Sequence, residues 1–148
     1  MTTRPVRIAV RALILHRNRL LMVNAWGGGV SDLWCAPGGG VEPHSSLPEN
    51  LIREVYEETG LQVEIGAPAM INEFHEPKRG FHQVDVYFRA TIVSGTIDTE
   101  WRDPEGIVTK RQFFSREEMA SIRYKPDTLP RAAWDGELVY DPMELLIK

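Results

Sequence analysis

The stretch REVYEETG, residues 53–60, sets Glu54, Glu57 and Glu58 within five positions of one another. Like charges at helical i,i+4 spacing repel by about 0.2–0.5 kcal/mol per pair. The cluster is therefore either a solvated acidic face or a seat for a cation. The flanks predict a helix over 47–59. Ser46 and Glu49 have capping-box spacing, Pro48 falls in the first turn where its missing N–H costs nothing, and Gly60 follows as a C-terminal cap. With Glu54 at 0° on a wheel, Glu57 lies near 300° and Glu58 near 40°. Leu51, Ile52, Val55 and Tyr56 fall to the other side and read as the core face. Three convergent carboxylates are hard oxygen donors suited to Mg²⁺ or Mn²⁺. A glutamate left over could act as general base.

Working outward, VRIAVRALILH (6–16) and LLMVNA (20–25) read as strands, and LWCAP (33–37) as a short extended piece. Residues 26–32 and 38–46 read as glycine-rich loops. After the helix, 61–74 reads as a strand broken near Gly66-Ala67-Pro68. A turn at 75–80, an alternating strand at 81–93, a polar loop at 94–106 and a strand at 107–115 follow. Ser115 and Glu118 open a short helix with the same capping spacing, and the last 25 or so residues are mixed. Strands with two or three helices in irregular order predict an α+β domain over 1–148.

Composition narrows the function. The chain has 148 residues, 26% of them charged, a net charge of −4 and a pI near 5.6. Nothing resembles the basic footprint of a nucleic-acid binder. Arginines at 4, 7, 11, 17 and 19 interrupt every apolar run near the N-terminus, so neither a signal peptide nor a membrane span is expected. The one cysteine, Cys35, excludes an internal disulfide, fits a reducing cytoplasm and reads as a structural thiol. The four histidines show no zinc-ligand spacing. His82 and Asp85 fall on opposite faces of their strand. The glycine triplets at 27–29 and 38–40 lack dinucleotide-binding or P-loop spacing.

Read backwards from Gly60, residues 39–61 resemble the Nudix box. Gly39, Arg53, Glu54, Val55, Glu57, Glu58, Gly60 and Leu61 all match its pattern. At ordinary residue frequencies the six strictly typed positions coincide by chance on the order of 10⁻⁷ per start position. One position departs: the first glutamate of the box falls at Ser45, with Glu42 nearby.

The resemblance implies a Nudix-fold α/β/α sandwich around a mixed sheet. It implies a pyrophosphohydrolase acting on a nucleoside diphosphate linked to another group, with Mg²⁺ or Mn²⁺ as cofactor. The carbonyl of Gly38 with Glu54, Glu57 and Glu58 corresponds to the metal-binding set. Glu57 doubles as a water-orienting base, and Arg53 orients the carboxylates. A further acid comes from the 94–106 loop, Glu105 ahead of Asp103. A proline sixteen residues past the box, here Pro77, points to ADP-ribose or a related NDP-sugar. Residue 79, a tyrosine in dinucleoside-polyphosphate enzymes, is Arg79 here. Arg79, Trp26 and Phe74 are the candidate contacts to this small-molecule substrate. The rival expectations are a MutT-like triphosphate pyrophosphatase and, because of Ser45, a weakly catalytic nucleotide-binding module. Many members are homodimers.

Overall fold

The computed structural model describes residues 4–148. The first three residues of the expected domain lie outside them. Strand β1 (Arg7–His16) turns at Arg17 and Asn18, both at positive φ, into β2 (Arg19–Asn24). Two short strands follow, β3 (Trp34–Cys35) and β4 (Gly38–Gly40), then helix α1 (Leu47–Thr59). Strands β5 (Gln62–Glu76) and β6 (Phe81–Ser94) form a long hairpin around a 3₁₀ turn at Pro77–Arg79. The chain ends in β7 (Arg111–Phe114), α2 (Arg116–Met119), α3 (Leu129–Trp134) and β8 (Val139–Leu145).

The sheet runs β3-β2-β1-β6-β5-β8, with β4 added on β1 and β7 on β2. It is mixed: β1 with β6 and β5 with β8 are parallel, and the other pairs are antiparallel. Alternation along β1 divides the core in two. Val10, Ala12 and Ile14 face α1 and pack with Leu51, Val55, Leu61 and Phe88. Leu13 faces the other way, toward Met70, Tyr87, Met119, Leu129 and Ala132 beneath α2 and α3. The result is the expected helix–sheet–helix layering.

Four sequence expectations change. Residues 38–40, expected as loop, form a strand whose three residues pair with Ala9–Arg11. Strand β5 is not broken at Gly66–Pro68; it runs through a register shift there. Strand β7 begins at Arg111 rather than 107, because side chains take the backbone N–H groups before it. Asp103 accepts from Ile107 and Val108, and Asn24 accepts from Thr109 and Lys110. Ile52 and Tyr56, placed on the core face of the helix, are 37% and 43% exposed. Among the described residues no helix is long and apolar enough to cross a membrane.

Helix α1 starts where its caps place it. The Ser46 hydroxyl accepts from the Glu49 N–H at 3.1 Å, and Gly60 ends the helix at φ 77° with its N–H on the Tyr56 carbonyl. The entry loop is pinned by Asn50, which is 1% exposed. Its amide donates to the carbonyls of Ser45 and Ser46 and accepts from the Glu42 N–H and from Arg53. Replacing it leaves several buried polar groups unpaired, each at about 1–3 kcal/mol. Asn50→Ala is therefore expected to cost about 2–3 kcal/mol, read as a lower urea midpoint at unchanged slope.

Candidate functional site

The three box glutamates do not share one environment. Glu54 is 8% exposed and lies against the bare backbone of Gly39, where a Cβ would stand 2.5 Å from its Oε2. Glu58 reaches under β4 and accepts the Gly38 N–H at 3.0 Å. Both line a cleft of about 250 Å³ together with Gly38, Gly39, Gly40, Glu42 and Glu105. Glu57 is not part of that lining. It faces Arg53, 3.5 Å away, and its carbonyl accepts from the Trp101 indole. Arg53 also donates to Glu54 at 3.0 Å and lies 3.9 Å from Glu42, so one guanidinium fixes the outer carboxylates.

Burial pushes Glu58 up to about 8, with Glu54 and Asp103 adding to the rise against Arg11 and the Gly38 N–H. Burial also raises Glu54, with Glu57 and Glu105 adding and Arg53 opposing. Both carboxyls thus resist ionisation chiefly because burial strips them of water, even with an arginine near each. Among the described residues no three His, Cys, Asp or Glu side chains converge as a ready-made metal cluster. The donor set is smaller: two inner carboxyls beside the Gly38 carbonyl, which now accepts weakly from Arg11 at 3.4 Å. That set fits Mg²⁺, which commonly takes one or two protein carboxylates and completes its shell with water and substrate phosphate.

The two distal acids part company. Asp103 turns inward and accepts from the N–H groups of Glu105, Ile107 and Val108, clasping its own loop. Glu105 lines the carboxylate cleft. Ser45, at the departing box position, is exposed, and its carbonyl is held by Asn50.

A second cleft, of about 340 Å³, opens beside the first on the face away from α1. The candidate substrate residues Trp26, Phe74 and Arg79 all line it, and Phe74 stands 6.0 Å from Phe81. Trp26 is a wall rather than a free platform. Its indole N–H donates to the Ile147 carbonyl, and the Lys148 ammonium sits 4.8 Å over its ring. Arg79 is tied to Glu76 at 3.2 Å. Trp34 packs on Phe114 in the core, and Trp101 packs on Tyr56.

The two clefts share Arg7, Arg11, Ala25 and Cys35. Arg11 is matched to Asp85 at 3.3 Å and to the Ala36 carbonyl at 3.2 Å. Among the described residues Arg7 bonds only the neutral Gln83, and it rests on Gly40, where a Cβ would meet it at 2.5 Å. Burial pushes the Cys35 thiol up to about 11, which leaves no thiolate for nucleophilic work. The sequence reading passed over Arg7, Arg11, Asn72, Gln83 and Asp85. Their signal was polar residues alternating with aliphatic ones, as in HQVDVY (82–87), but which partner strand each would face is not written locally.

A family model described as NUDIX domain matches residues 5–135. Diphosphoinositol polyphosphate phosphohydrolase NUDT4B from Homo sapiens is 32% identical over 91 residues, 62% of this chain and 48% of that protein. The chain thus spans about half the length of that relative. A NUDIX hydrolase from Nitrosomonas europaea superposes with a TM-score of 0.74 at 21% identity, covering 93% of each chain. An ADP-ribose pyrophosphatase from Streptococcus suis gives a TM-score of 0.67 at 20% identity, covering 95% of this chain and 99% of its own. At such identities the two structures show a shared fold.

The raised Glu58 sets a pH dependence for the metal-free protein. A carboxyl with its folded value near 8 stabilises the fold below its unfolded value and loses that contribution as pH rises through 8. In EDTA, Glu58→Gln, which keeps the acceptor for Gly38, is therefore expected to gain Tm over the wild type progressively from about pH 5 to 8. A constant Tm difference across that range would show that Glu58 ionises normally.

Proposed function

The chain belongs to the NUDIX family, and from that premise we propose that it hydrolyses a phosphoanhydride bond of a nucleoside diphosphate linked to a second group, with ADP-ribose or a related NDP-sugar as substrate. The observation that carries this reading is the common wall of the two clefts: the carboxylate cleft and the aromatic one adjoin at Arg7 and Arg11, which line both. A nucleoside in the aromatic cleft would present its diphosphate to Arg7 and its scissile bond to the carboxylates.

Charge pairing separates this substrate from an inositol polyphosphate, the class named for the human relative. Arg79 is matched by Glu76, Arg11 by Asp85, and Lys125 by Glu144 and Asp127. Among the cations lining the cleft, Arg7 alone has no carboxylate partner within the described residues. One uncompensated arginine suits the inner phosphate of a nucleoside diphosphate. It is too little for a ring bearing many phosphates.

In this reading Glu54, Glu58 and the Gly38 carbonyl hold a divalent cation, Mg²⁺ or Mn²⁺. Such an ion supplies neutralisation of the phosphates and activation of water. Arg53 keeps Glu54 and Glu57 aimed. Glu105, on the cleft wall outside the buried pair, is the carboxylate placed to take the proton of the attacking water; Glu57, the other candidate base, faces Arg53 outside the lining. Water adds to phosphorus, the anhydride oxygen leaves, and ADP-ribose yields AMP and ribose phosphate. Ser45 motivates a weakly catalytic alternative, but Asn50 already supports the loop that the missing glutamate would brace.

A turnover panel of ADP-ribose, NDP-sugars, diadenosine polyphosphates, diphosphoinositol polyphosphate and common NTPs, with products identified by chromatography, tests the assignment. ADP-ribose or an NDP-sugar is expected to lead it. A nucleoside triphosphate releasing pyrophosphate fastest would move the enzyme to nucleotide clean-up. Glu58→Gln should lower kcat at least about 100-fold while the protein stays folded.

A further inference from the structure

The floor of the aromatic cleft is a lattice fixed by strand register. On the face away from α1, side chains of β1, β6, β5 and β8 line up in ranks across the sheet. The rank bordering the core is Arg11–Tyr87–Met70–Val139, the next is Ala9–Asp85–Asn72–Asp141, and the outermost is Arg7–Gln83–Phe74–Glu144. The middle rank is buried: Asp85 is 2% exposed and Asn72 and Asp141 5% each.

Every polar side chain of the two outer ranks but one is engaged. Asp85 accepts from Arg11 at 3.3 Å and from Gln83 at 2.7 Å, and Gln83 accepts from Arg7. Asp141 accepts from the Thr128 hydroxyl at 3.2 Å, and Glu144 from Lys125 at 3.1 Å. The amide of Asn72 has no hydrogen-bond partner among the described residues, although it lines the cleft. Among the described residues no side-chain polar atom sealed from solvent lacks a partner, so the Asn72 amide opens into the cleft. Its acceptor and donors are free to bond a ligand that enters. A ligand that excludes water there without pairing them incurs the cost of an unmatched amide.

We propose that Asn72 reads the edge of the substrate's base, and that this base carries an amino group next to a ring-nitrogen acceptor, as adenine does. The inference rests on the nucleotide reading above and deepens it. An asparagine amide offers one acceptor and two donors from one plane, which matches the adjacent amine and ring nitrogen of adenine. Beside it in the cleft lining lies the carboxylate of Asp85, an acceptor with lone pairs beyond those it gives to Arg11 and Gln83. An exocyclic amine is attracted to that position. The carbonyl that uracil would place there faces an acceptor and is disfavoured. Phe74 and Phe81 supply aromatic surface for the ring, and Arg7, in the same rank as Phe74, marks the phosphate end.

The test is equilibrium binding of AMP and UMP in EDTA by titration calorimetry, with turnover of ADP-ribose and a UDP-sugar measured separately in Mg²⁺. The wild type is expected to bind AMP about tenfold or more tighter than UMP, the discrimination of a site built to hydrogen-bond one edge. Asn72→Leu and Asn72→Ala, which both remove the amide, should bring the two ligands within about threefold of each other. The turnover loss with ADP-ribose should fall in KM rather than in kcat. Asn72→Ala keeps the test open if the leucine variant fails to fold. Equal binding of AMP and UMP by the wild type, or an AMP preference that survives in Asn72→Ala, overturns the inference. AMP selectivity that depends on Asn72, without any turnover, upholds it while sinking the hydrolase reading. Brisk ADP-ribose turnover with no dependence on Asn72 does the reverse.

Discussion

Strand β4 has no side chains, and the site exists because of that. A Cβ at Gly38 would lie 1.9 Å from the Val10 carbonyl, one at Gly39 2.5 Å from Glu54, and one at Gly40 2.5 Å from the Arg7 guanidinium. Bare backbone is thus the only spacer between the acidic helix on one side and the arginines of β1 on the other. It also lets the Gly38 N–H face Glu58 while the Gly38 carbonyl remains free enough to turn elsewhere. An alanine at any of the three positions would force the helix, the sheet or an arginine to move.

The same closeness explains how an acidic protein can receive a polyanion. Positive charge is not spread over a patch but rationed among neighbours. Arg53 serves the outer carboxylates, Arg11 is matched by Asp85, and Arg7 is left against a neutral amide. Burial shifts Glu54 and Glu58 toward their neutral forms even with Arg53 and Arg11 opposing. A divalent ion held between them would offset that burial, and a phosphate would meet Arg7, the cation of the clefts with no carboxylate partner among the described residues.

Much of this architecture was legible locally. Ser46, Glu49, Pro48 and Gly60 bounded α1 to the residue, because caps act within four positions of the chain. The box pattern pointed to the family and to the layers that surround the helix. Long-range pairing was not legible. Three consecutive glycines read as loop, since nothing in their own propensity shows that Ala9–Arg11 will hold them as a strand. Gly66-Ala67-Pro68 read as a break, because a bulge that absorbs a proline is a property of the hairpin and not of the tripeptide. The carboxylates of the 94–106 loop could be ranked, Glu105 ahead of Asp103, but only the fold shows Asp103 turned in as a clasp and Glu105 on the cleft. Arg7, Gln83 and Asn72 come from strands far apart in sequence, and only register makes them neighbours.

The ranked floor has a consequence for how such a protein can diverge. The proposed metal carboxylates belong to α1, while the proposed base contacts belong to alternate positions on β5 and β6 whose side chains leave the opposite face of the sheet. A change at Asn72 alters what the floor can recognise without removing a contact to Glu54 or Glu58. Selectivity can thus drift by single substitutions while bond cleavage is conserved, and duplicated copies of the gene could acquire different substrates without first losing the reaction.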